Sequence, residues 1–405
     1  MHYWDAVWAF LVAMGIAFVL TPLAGRLARR VNAVAVPTDR GLAKTTTPLL
    51  GGLAILVGVL VAMALFMPTL IHLHPIAHAG HGPPPIVHVW WVAAGACVIV
   101  LVGAVDDIVE LPALYKLMGQ IVAAVLAVHG GVLVNALTLP FIHPLQFPNT
   151  GGVLSAIWLV GLMNVVNFSD GVDGLAAGLC AIDGIAFAII AFNLGVSGAG
   201  VLAALTAGAS MGFLFHNFHP ASVFMGDSGA NLLGYLLGVV AVVGSVKTNA
   251  VVALVVPLVI LAVPFLDTSF VVAKRLKYRR RPWSADANHF HHRMARIGFS
   301  QRKTVAYLYA WTALLAGVAV ALRFVPYHDH TGPHPHYHLG WLLVMAGLGL
   351  IALAASVYLV YVLEILKFRT FRALELRRSD PASSEPQIEA QVERDIETGE
   401  FERVR

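Results

Sequence analysis

Long apolar runs recur along almost the whole chain, and they restrict the possible folds more than any other feature. A helix that crosses a membrane needs about 20 mostly apolar residues, and about eleven segments meet that description. They lie at 5–25, 50–72, 89–105, 114–130, 151–167, 174–194, 197–215, 229–246, 248–266, 303–325 and 339–363. Only 12% of the 405 residues are charged, against about 25% in soluble domains. The sequence therefore predicts an all-α polytopic membrane protein with about eleven transmembrane helices.

The positions of Lys and Arg predict the direction in which these helices run. Loops that face the cytoplasm are enriched in both residue types. If the N-terminus lies outside, all 26 Lys and Arg residues except Lys247 and Arg323 fall in inner loops or in the C-terminal tail. We therefore expect an external N-terminus and a cytoplasmic C-terminus.

Two further segments define the predicted domain organisation. Residues 131–148 are rich in Val, Leu, Phe and Pro and lack helical spacing, which predicts a short outer β-hairpin. The polar, mixed-charge residues near the C-terminus predict a solvated or partly helical tail. We expect a transmembrane catalytic domain over 1–366, with its active site on the cytoplasmic face, and a polar cytoplasmic tail over 367–405.

Polar motifs collect at the predicted inner ends of the helices. The motif "AVDDIVELPALYK" contains Asp106, Asp107 and Lys116, and "FMGDSGANLLG" contains Phe224 and Asp227. The motif "NVVNFSDGVDGLAAG" contains Asn164, Asn167, Asp170 and Asp173. The motif "ADANHFHHRM" contains His289, His291, His292 and Arg293. Each alone is compatible with a helix cap or a solvated turn, but four such loops on one face favour a shared site.

The chemistry of these side chains indicates phosphoryl transfer. Mg²⁺ in such sites binds through one or two carboxylates together with substrate phosphates. Arg and Lys suit the remaining phosphate oxygens. Catalysis of phosphoryl transfer consists mostly of positioning and charge neutralisation. The chain has no Walker motif and no dinucleotide fingerprint, so nothing in it indicates an ATP-driven pump.

These motifs, with "PLLGGLAIL" before them, resemble the polyprenyl-phosphate N-acetylhexosamine-1-phosphate transferase superfamily in content and order. The form "ADxxHxHHR" is similar to the branch that transfers GlcNAc-1-phosphate from UDP-GlcNAc to undecaprenyl phosphate and releases UMP. The resemblance implies a Mg²⁺ cofactor, with Mn²⁺ as a candidate substitute, and a homodimer in the bacterial plasma membrane. Products of that branch start cell-envelope glycans such as teichoic acid or O-antigen. No nucleic-acid partner is expected.

The resemblance also implies roles for single residues. Asp106 and Asp107 match the catalytic pair, with Asp106 as the base that deprotonates the lipid phosphate or, in a two-step scheme, as a nucleophile. Asp170 matches a further essential acid of unsettled role. The expected Mg²⁺ ligands are Asp227 and Asn167. The remaining matches are substrate contacts or loop residues near the diphosphate and sugar: Lys116, Asn164, Asp173, Phe224, His289, His291, His292 and Arg293.

Two alternatives remain open from the sequence. One is the related phospho-MurNAc-pentapeptide transferase of peptidoglycan synthesis, which shares the core motifs. The other is an ion-coupled transporter, because ionisable residues inside membrane segments are typical of transporters. Only Asp183 lies centrally in a predicted span, whereas the other acidic residues of the motifs lie at the inner ends of spans. A transporter places such groups near the middle of the membrane, so this distribution favours the enzyme.

Overall fold

The computed structural model shows a mostly helical protein. It describes residues 2–36, 46–67, 70–72, 86–134, 136–137, 145–147, 150–245, 261–263, 265–266, 300–325, 338–361, 373, 376–377 and 384–398. The helices are α1 (Tyr3–Arg30), α2 (Gly51–Phe66), α3 (Val89–Val109), α4 (Ala113–His129), α5 (Gly151–Ser169), α6 (Leu175–Asn193), α7 (Ser197–Asn217), α8 (Gly226–Ser245), α9 (Gln301–Phe324), α10 (Leu339–Tyr361) and α11 (Glu385–Thr398).

These helices agree with the predicted transmembrane segments. Every predicted segment except 248–266 overlaps with a helix, and most of 248–266 lies outside the described residues. Within the described part of the chain, eight helices are long and apolar enough to cross a membrane, and the apolar helices Gly51–Phe66 and Ala113–His129 are shorter. The chain is a polytopic membrane protein, and the number of spans and their direction stay predictions.

Short antiparallel strand pairs connect some of the helices. Strand β1 (Val34–Ala35) pairs with β2 (Thr47–Pro48), and β3 (Leu70–His72) pairs with β4 (Ile86–His88). Strands β5 (Ala136–Leu137) and β6 (Leu145–Gln146) also pair, with Ala136 opposite Gln146. This last pair lies in the segment where the sequence predicts a hairpin, while its external location stays a prediction.

The described chain divides into two units. One comprises Met1–Leu266 with Leu308–Phe324, and the other comprises Asp267–Tyr307 with Val325–Arg405. The first unit contains helices α1–α8 and most of α9. The second contains α10 and α11, and α11 shows that part of the predicted polar tail is helical. The predicted domain boundary at residue 366 stays a prediction.

Small residues bring the helices of the first unit close together. Ala9, Ala13 and Ala17 of α1 are fully buried. A Cβ atom on Gly212 of α7 would lie 2.1 Å from the carbonyl oxygen of Met14, so the α1 and α7 backbones nearly touch. Association of membrane helices depends on close packing rather than on the hydrophobic effect, and small residues permit it.

Close packing at glycine residues also holds the beginning of α8 against two other helices. A Cβ atom on Gly52 of α2 would lie 2.3 Å from the Gly229 nitrogen, and one on Gly103 of α3 would lie 2.4 Å from the Ser228 Cα atom. The start of α2, the last two turns of α3 and the first turn of α8 are therefore in direct backbone contact. The polar site described next lies beside this contact.

Candidate active site

Asp107 joins the end of α3 to the beginning of α8. Its Oδ1 atom accepts a hydrogen bond from the Asp227 backbone N–H at 2.8 Å. Its Oδ2 atom accepts from the Ser228 hydroxyl at 2.9 Å and from the Ser228 N–H at 3.3 Å. The first N–H groups of a helix lack partners within the helix, and an acidic oxygen is a preferred acceptor for them. Asp107 thus caps α8 from another helix, in addition to its predicted catalytic role.

Gly226 makes this cap possible. Its φ angle is +69°, in the left-handed region that favours glycine. A Cβ atom at this position would lie 2.3 Å from the Asp107 Oδ2 atom. Glycine is therefore required both by the backbone conformation and by the space that the Asp107 carboxylate occupies.

Asp106, Lys116 and Asp227 form an ionic group beside the cap. The Lys116 ammonium lies 2.5 Å from Asp106 Oδ2 and 3.0 Å from Asp227 Oδ2. Asp106 also accepts a hydrogen bond from the Leu111 N–H at 2.7 Å. Asp106 is 6% exposed, whereas Asp227 is 27% exposed and Lys116 is 37% exposed. The Asp227 and Lys116 side chains are thus the more exposed parts of this group.

Asn167 brings the end of α5 into the same group. Its side chain lies close enough to interact with the Asp227 carboxylate, and the Asp106 carboxylate also lies against that of Asp227. We name Asp106, Lys116, Asn167 and Asp227 the ionic cluster. Helices α3, α4, α5 and α8 each contribute one member, so the structure brings together residues that the sequence predicts to act together.

Asp170 lies just after α5 and adds negative charge near the cluster. Burial and, to a smaller extent, the carboxylates of Asp227, Asp107 and Asp173 together raise the pKa of Asp170 to about 7. This pKa indicates that several carboxyl groups share a small region, in which like charges disfavour full ionisation. A divalent cation would relieve that repulsion.

The ionic cluster offers donors that suit Mg²⁺. In the part of the chain that the structure describes, no three His, Cys, Asp or Glu side chains form a complete metal site. Mg²⁺ needs no such cage, because it commonly binds through one or two carboxylates together with water and substrate phosphates. The Asp227 carboxylate and the Asn167 amide are adjacent oxygen donors, so the residues present fit this ion.

Asp173 organises the loop between α7 and α8. Its Oδ2 atom accepts a hydrogen bond from the Ala221 N–H at 3.1 Å and contacts His219 Nδ1 at 2.8 Å. Asn217 accepts from the Gly174 N–H and donates to the Val223 carbonyl, both at 3.0 Å. The sequence predicted a role for Asp173 but not for His219 or Asn217. The motif "HNFHP" was a visible signal for both.

Phe224 lies at the end of this loop. Its backbone N–H donates to the Pro48 carbonyl at 2.8 Å, and its carbonyl accepts from the Gly51 N–H at 3.1 Å. The motif "PLLGG" is therefore a docking segment for the loop that carries Phe224. The Phe224 side chain is half-buried, and its stacking on a base stays a prediction.

Asn164 lies one turn from the ionic cluster, among other amides. Its Nδ2 atom donates to Gln120 Oε1 at 2.8 Å, and Gln120 in turn donates to Asn231 Oδ1 at 2.8 Å. Substrate binding by Asn164 stays a prediction, and the sequence predicted no role for Gln120 or Asn231. The spacing of four residues from Lys116 to Gln120, and from Asp227 to Asn231, was the available signal.

The fourth predicted motif cannot be compared with this site. His289, His291, His292 and Arg293 lie outside the residues that the structure describes. Their roles near the diphosphate and the sugar stay predictions.

Fold and site together define a class: a polytopic helical membrane protein with a cluster of carboxylates and a lysine at adjacent helix ends. Residues 89–245 match the family profile described as glycosyl transferase family 4. The chain is 30% identical over 316 residues to the "Probable undecaprenyl-phosphate N-acetylglucosaminyl 1-phosphate transferase" of Bacillus subtilis, covering 78% of this chain and 84% of that protein. It belongs to glycosyl transferase family 4.

Two other similar proteins have names that differ from each other. The "Decaprenyl-phosphate N-acetylglucosaminephosphotransferase" of Mycobacterium leprae is 36% identical, over 78% of this chain and 83% of its own length. The "Phospho-N-acetylmuramoyl-pentapeptide-transferase" of Desulforamulus reducens is 33% identical, over 73% of this chain and 88% of its own length. The two kinds of name differ in the sugar and agree on a phosphosugar transfer.

Proposed function

We propose that this protein transfers GlcNAc-1-phosphate from UDP-GlcNAc to undecaprenyl phosphate, releasing UMP and forming a lipid-diphosphate-linked GlcNAc. The observation that carries the proposal is the ionic cluster, in which the Lys116 ammonium lies within 3.0 Å of carboxylate oxygens from two other helices. Relatives named as polyprenyl-phosphate GlcNAc-1-phosphate transferases match 78% of the chain. Relatives named as pentapeptide transferases match 73–77% of it, at identities of 29–33% against 36% for the Mycobacterium leprae relative, and fit less well.

In the proposed reaction, an oxygen of the lipid phosphate attacks the phosphorus that carries the sugar. A new P–O bond forms to the lipid phosphate, and the P–O bond to the UMP phosphate breaks with its electron pair leaving on UMP. Asp106 accepts the remaining proton of the lipid phosphate, which keeps the nucleophile ionised. The second pKa of a phosphate ester lies near 6, so this proton transfer contributes a modest factor at neutral pH.

The other cluster residues bind the nucleotide diphosphate. Asp227 and Asn167 would hold Mg²⁺, which supplies charge neutralisation to the diphosphate and the leaving UMP. Lys116 contacts Asp106 and Asp227 and is half-exposed, so its ammonium can move onto a diphosphate oxygen. Asp173 and Phe224 lie in or beside the loop before α8, where they would contact the uridine.

The proposed site faces the cytoplasm. Arg26, Arg29 and Arg30 belong to the last two turns of α1. The neighbouring Gly25 lies beside Val223, within the loop that leads into α8. These basic residues therefore lie at the same end of the unit as the ionic cluster. The enrichment of Lys and Arg in inner loops supports a cytoplasmic orientation of that end.

The experiment that tests the proposal is UMP release by the purified protein from a panel of UDP-sugars. UDP-GlcNAc and UDP-MurNAc-pentapeptide would be compared, each with undecaprenyl phosphate and with decaprenyl phosphate, in Mg²⁺, in Mn²⁺ and in EDTA. Release from UDP-GlcNAc that requires lipid phosphate and a divalent ion supports the proposal. Release from UDP-MurNAc-pentapeptide alone would assign the chain to the peptidoglycan reaction instead.

A further inference from the structure

A second polar layer lies one helical turn beneath the ionic cluster and joins three of the same helices. In α4, Gln120 follows Lys116 by four residues. In α8, Asn231 follows Asp227 by four residues. In α5, Asn164 precedes the asparagine of the ionic cluster by three. Residues at these spacings lie on one face of a helix, one turn apart. We name Asn164, Gln120 and Asn231 the amide layer.

Hydrogen bonds run through the amide layer in one direction. Asn164 Nδ2 donates to Gln120 Oε1, and Gln120 Nε2 donates to Asn231 Oδ1, each at 2.8 Å. Asn231 Nδ2 then donates to the backbone carbonyl of Asp227, also at 2.8 Å. This series of hydrogen bonds therefore ends on the main chain of Asp227, the proposed Mg²⁺ ligand.

Two side chains of the amide layer are buried, which restricts their choice of hydrogen-bond partners. Gln120 is 4% exposed and Asn231 is 5% exposed, so their amides have little access to water. A buried amide that loses its partner costs about 1–3 kcal/mol. Each amide therefore holds its neighbour in one orientation, and Gln120 is the member bonded to both others. Removing its side-chain amide would leave groups on α5 and α8 without those partners at once.

We propose that Gln120 is a positioning residue of the transfer reaction. Through Asn231 it fixes the first turn of α8 against α4 and α5, so that the Asp227 carboxylate stays in register with Lys116. This role rests on the proposed function, because it concerns the same reaction centre. Gln120 lies beneath the cluster and acts through Asn231 on the Asp227 main chain. Its loss should therefore lower turnover more than substrate affinity.

The test compares Gln120→Leu with Thr206→Val in the purified full-length protein. Leucine has a similar volume but cannot donate or accept, so it interrupts the amide layer. Thr206 is a matched control, because it is fully buried in α7 and donates to Leu202 O within its own helix. Each variant would be measured for its melting temperature, for kcat and KM with UDP-GlcNAc, and for Mn²⁺ binding by EPR in the presence of UMP.

We expect both substitutions to lower the melting temperature, and only Gln120→Leu to affect the site. Its kcat should fall about 10- to 100-fold with KM changed less than about 2-fold, since a displacement of about 1 Å at a reacting group can cost about 100-fold. Its Mn²⁺ affinity should fall several-fold. Turnover and Mn²⁺ affinity as high as those of Thr206→Val would overturn the proposed role.

A second variant covers the case in which Gln120→Leu does not fold. Gln120→Glu keeps an acceptor for Asn164 but turns an oxygen toward Asn231 Oδ1, so it should show the same loss of kcat and of Mn²⁺ affinity. If the wild-type protein binds Mn²⁺ with UMP but does not act on UDP-GlcNAc, the proposed function fails and the Mn²⁺ affinities of the variants decide the role of Gln120. If the wild type neither binds Mn²⁺ nor releases UMP, both proposals are overturned.

Discussion

Two adjacent aspartates, Asp106 and Asp107, have different surroundings although they are neighbours in the chain. Asp106 pairs with Lys116 in the ionic cluster, whereas Asp107 receives its hydrogen bonds from the first turn of α8. Consecutive residues of a helix point about 100° apart, so one can face the cluster while the other faces the neighbouring helix. The pair therefore combines a proposed proton acceptor with a helix cap.

Substitution at Asp107 separates these roles. Asparagine keeps one of the two accepting oxygens for the first turn of α8, whereas alanine keeps neither, and loss of a cap costs about 0.5–2 kcal/mol. We expect Asp107→Asn to keep more of the thermal stability and of the UMP release than Asp107→Ala. Asp106→Asn is the contrasting variant, expected to keep stability and lose transfer. Equal inactivity of Asp107→Asn and Asp107→Ala, at wild-type stability, would instead support a chemical role for Asp107.

Asp170 gives the site a pH dependence. The folded protein raises the pKa of Asp170 to about 7, whereas an unfolded chain has a value near 3.9. Between these values the folded state binds the extra proton, so stability falls as the pH rises from about 4 to about 7. In EDTA, Asp170→Asn should therefore melt at a higher temperature than the wild type at pH 8, and the difference should shrink toward pH 5. A difference that stays constant between pH 5 and pH 8 would contradict this account of Asp170.

The sequence predicted the residues of the ionic cluster and Asn164 of the amide layer, but not Gln120 or Asn231. Asp106, Asn167 and Asp227 stand out because carboxylates and amides at the end of an apolar run are conspicuous. Gln120 and Asn231 lie inside apolar runs and are 111 residues apart, so no local pattern connects them. Their pairing depends on which helices pack together, and apolar runs do not state that.

At the scale of whole helices, the site depends on how closely α3 approaches α8. The apolar runs predicted these helices well, but they do not state which pairs of helices touch. Gly103 is decisive, because a Cβ atom there would lie 2.4 Å from Ser228 Cα and 2.8 Å from the Asp227 carbonyl carbon. Any larger side chain must push the α8 first turn away from α3.

Gly103→Ala is therefore expected to destabilise the protein and reduce transfer. Overpacking of this kind typically costs about 1–3 kcal/mol. Gly161→Ala in α5 is the matched control, because nothing lies within 4 Å of its added Cβ atom, and alanine is favoured over glycine within a helix. The melting temperature and the rate of UMP release should fall for Gly103→Ala and not for Gly161→Ala. Wild-type behaviour of Gly103→Ala would show that the α3–α8 contact does not position the site.

At the scale of the whole molecule, the proposed orientation places the two ends of α5 on opposite sides of the membrane. Thr150 precedes the first residue of α5, and Asn167 near its last residue joins the ionic cluster. Glu110 lies beside the cluster at the end of α3. Both Thr150 and Glu110 are exposed, so each is a usable position for labelling.

Cysteine labelling in cells tests this orientation. With Cys97 and Cys180 replaced by alanine, Thr150→Cys should react with a membrane-impermeant maleimide in intact cells. Glu110→Cys should react only after the cells are permeabilised. The reverse pattern would place the ionic cluster on the external side, where cytoplasmic UDP-GlcNAc could not reach it.

The most direct test of the central proposal measures both products of the transfer with the purified protein and with Asp227→Ala. Mass spectrometry would quantify UMP and the lipid-diphosphate-linked GlcNAc formed from UDP-GlcNAc and undecaprenyl phosphate. The wild type should form the two products in equal amounts and should stop when EDTA is added. Asp227→Ala should stay folded and form at least about 100-fold less of both, as expected for loss of a charge-neutralising group. A folded Asp227→Ala variant with wild-type product formation would contradict the assignment of the ionic cluster as the site of transfer.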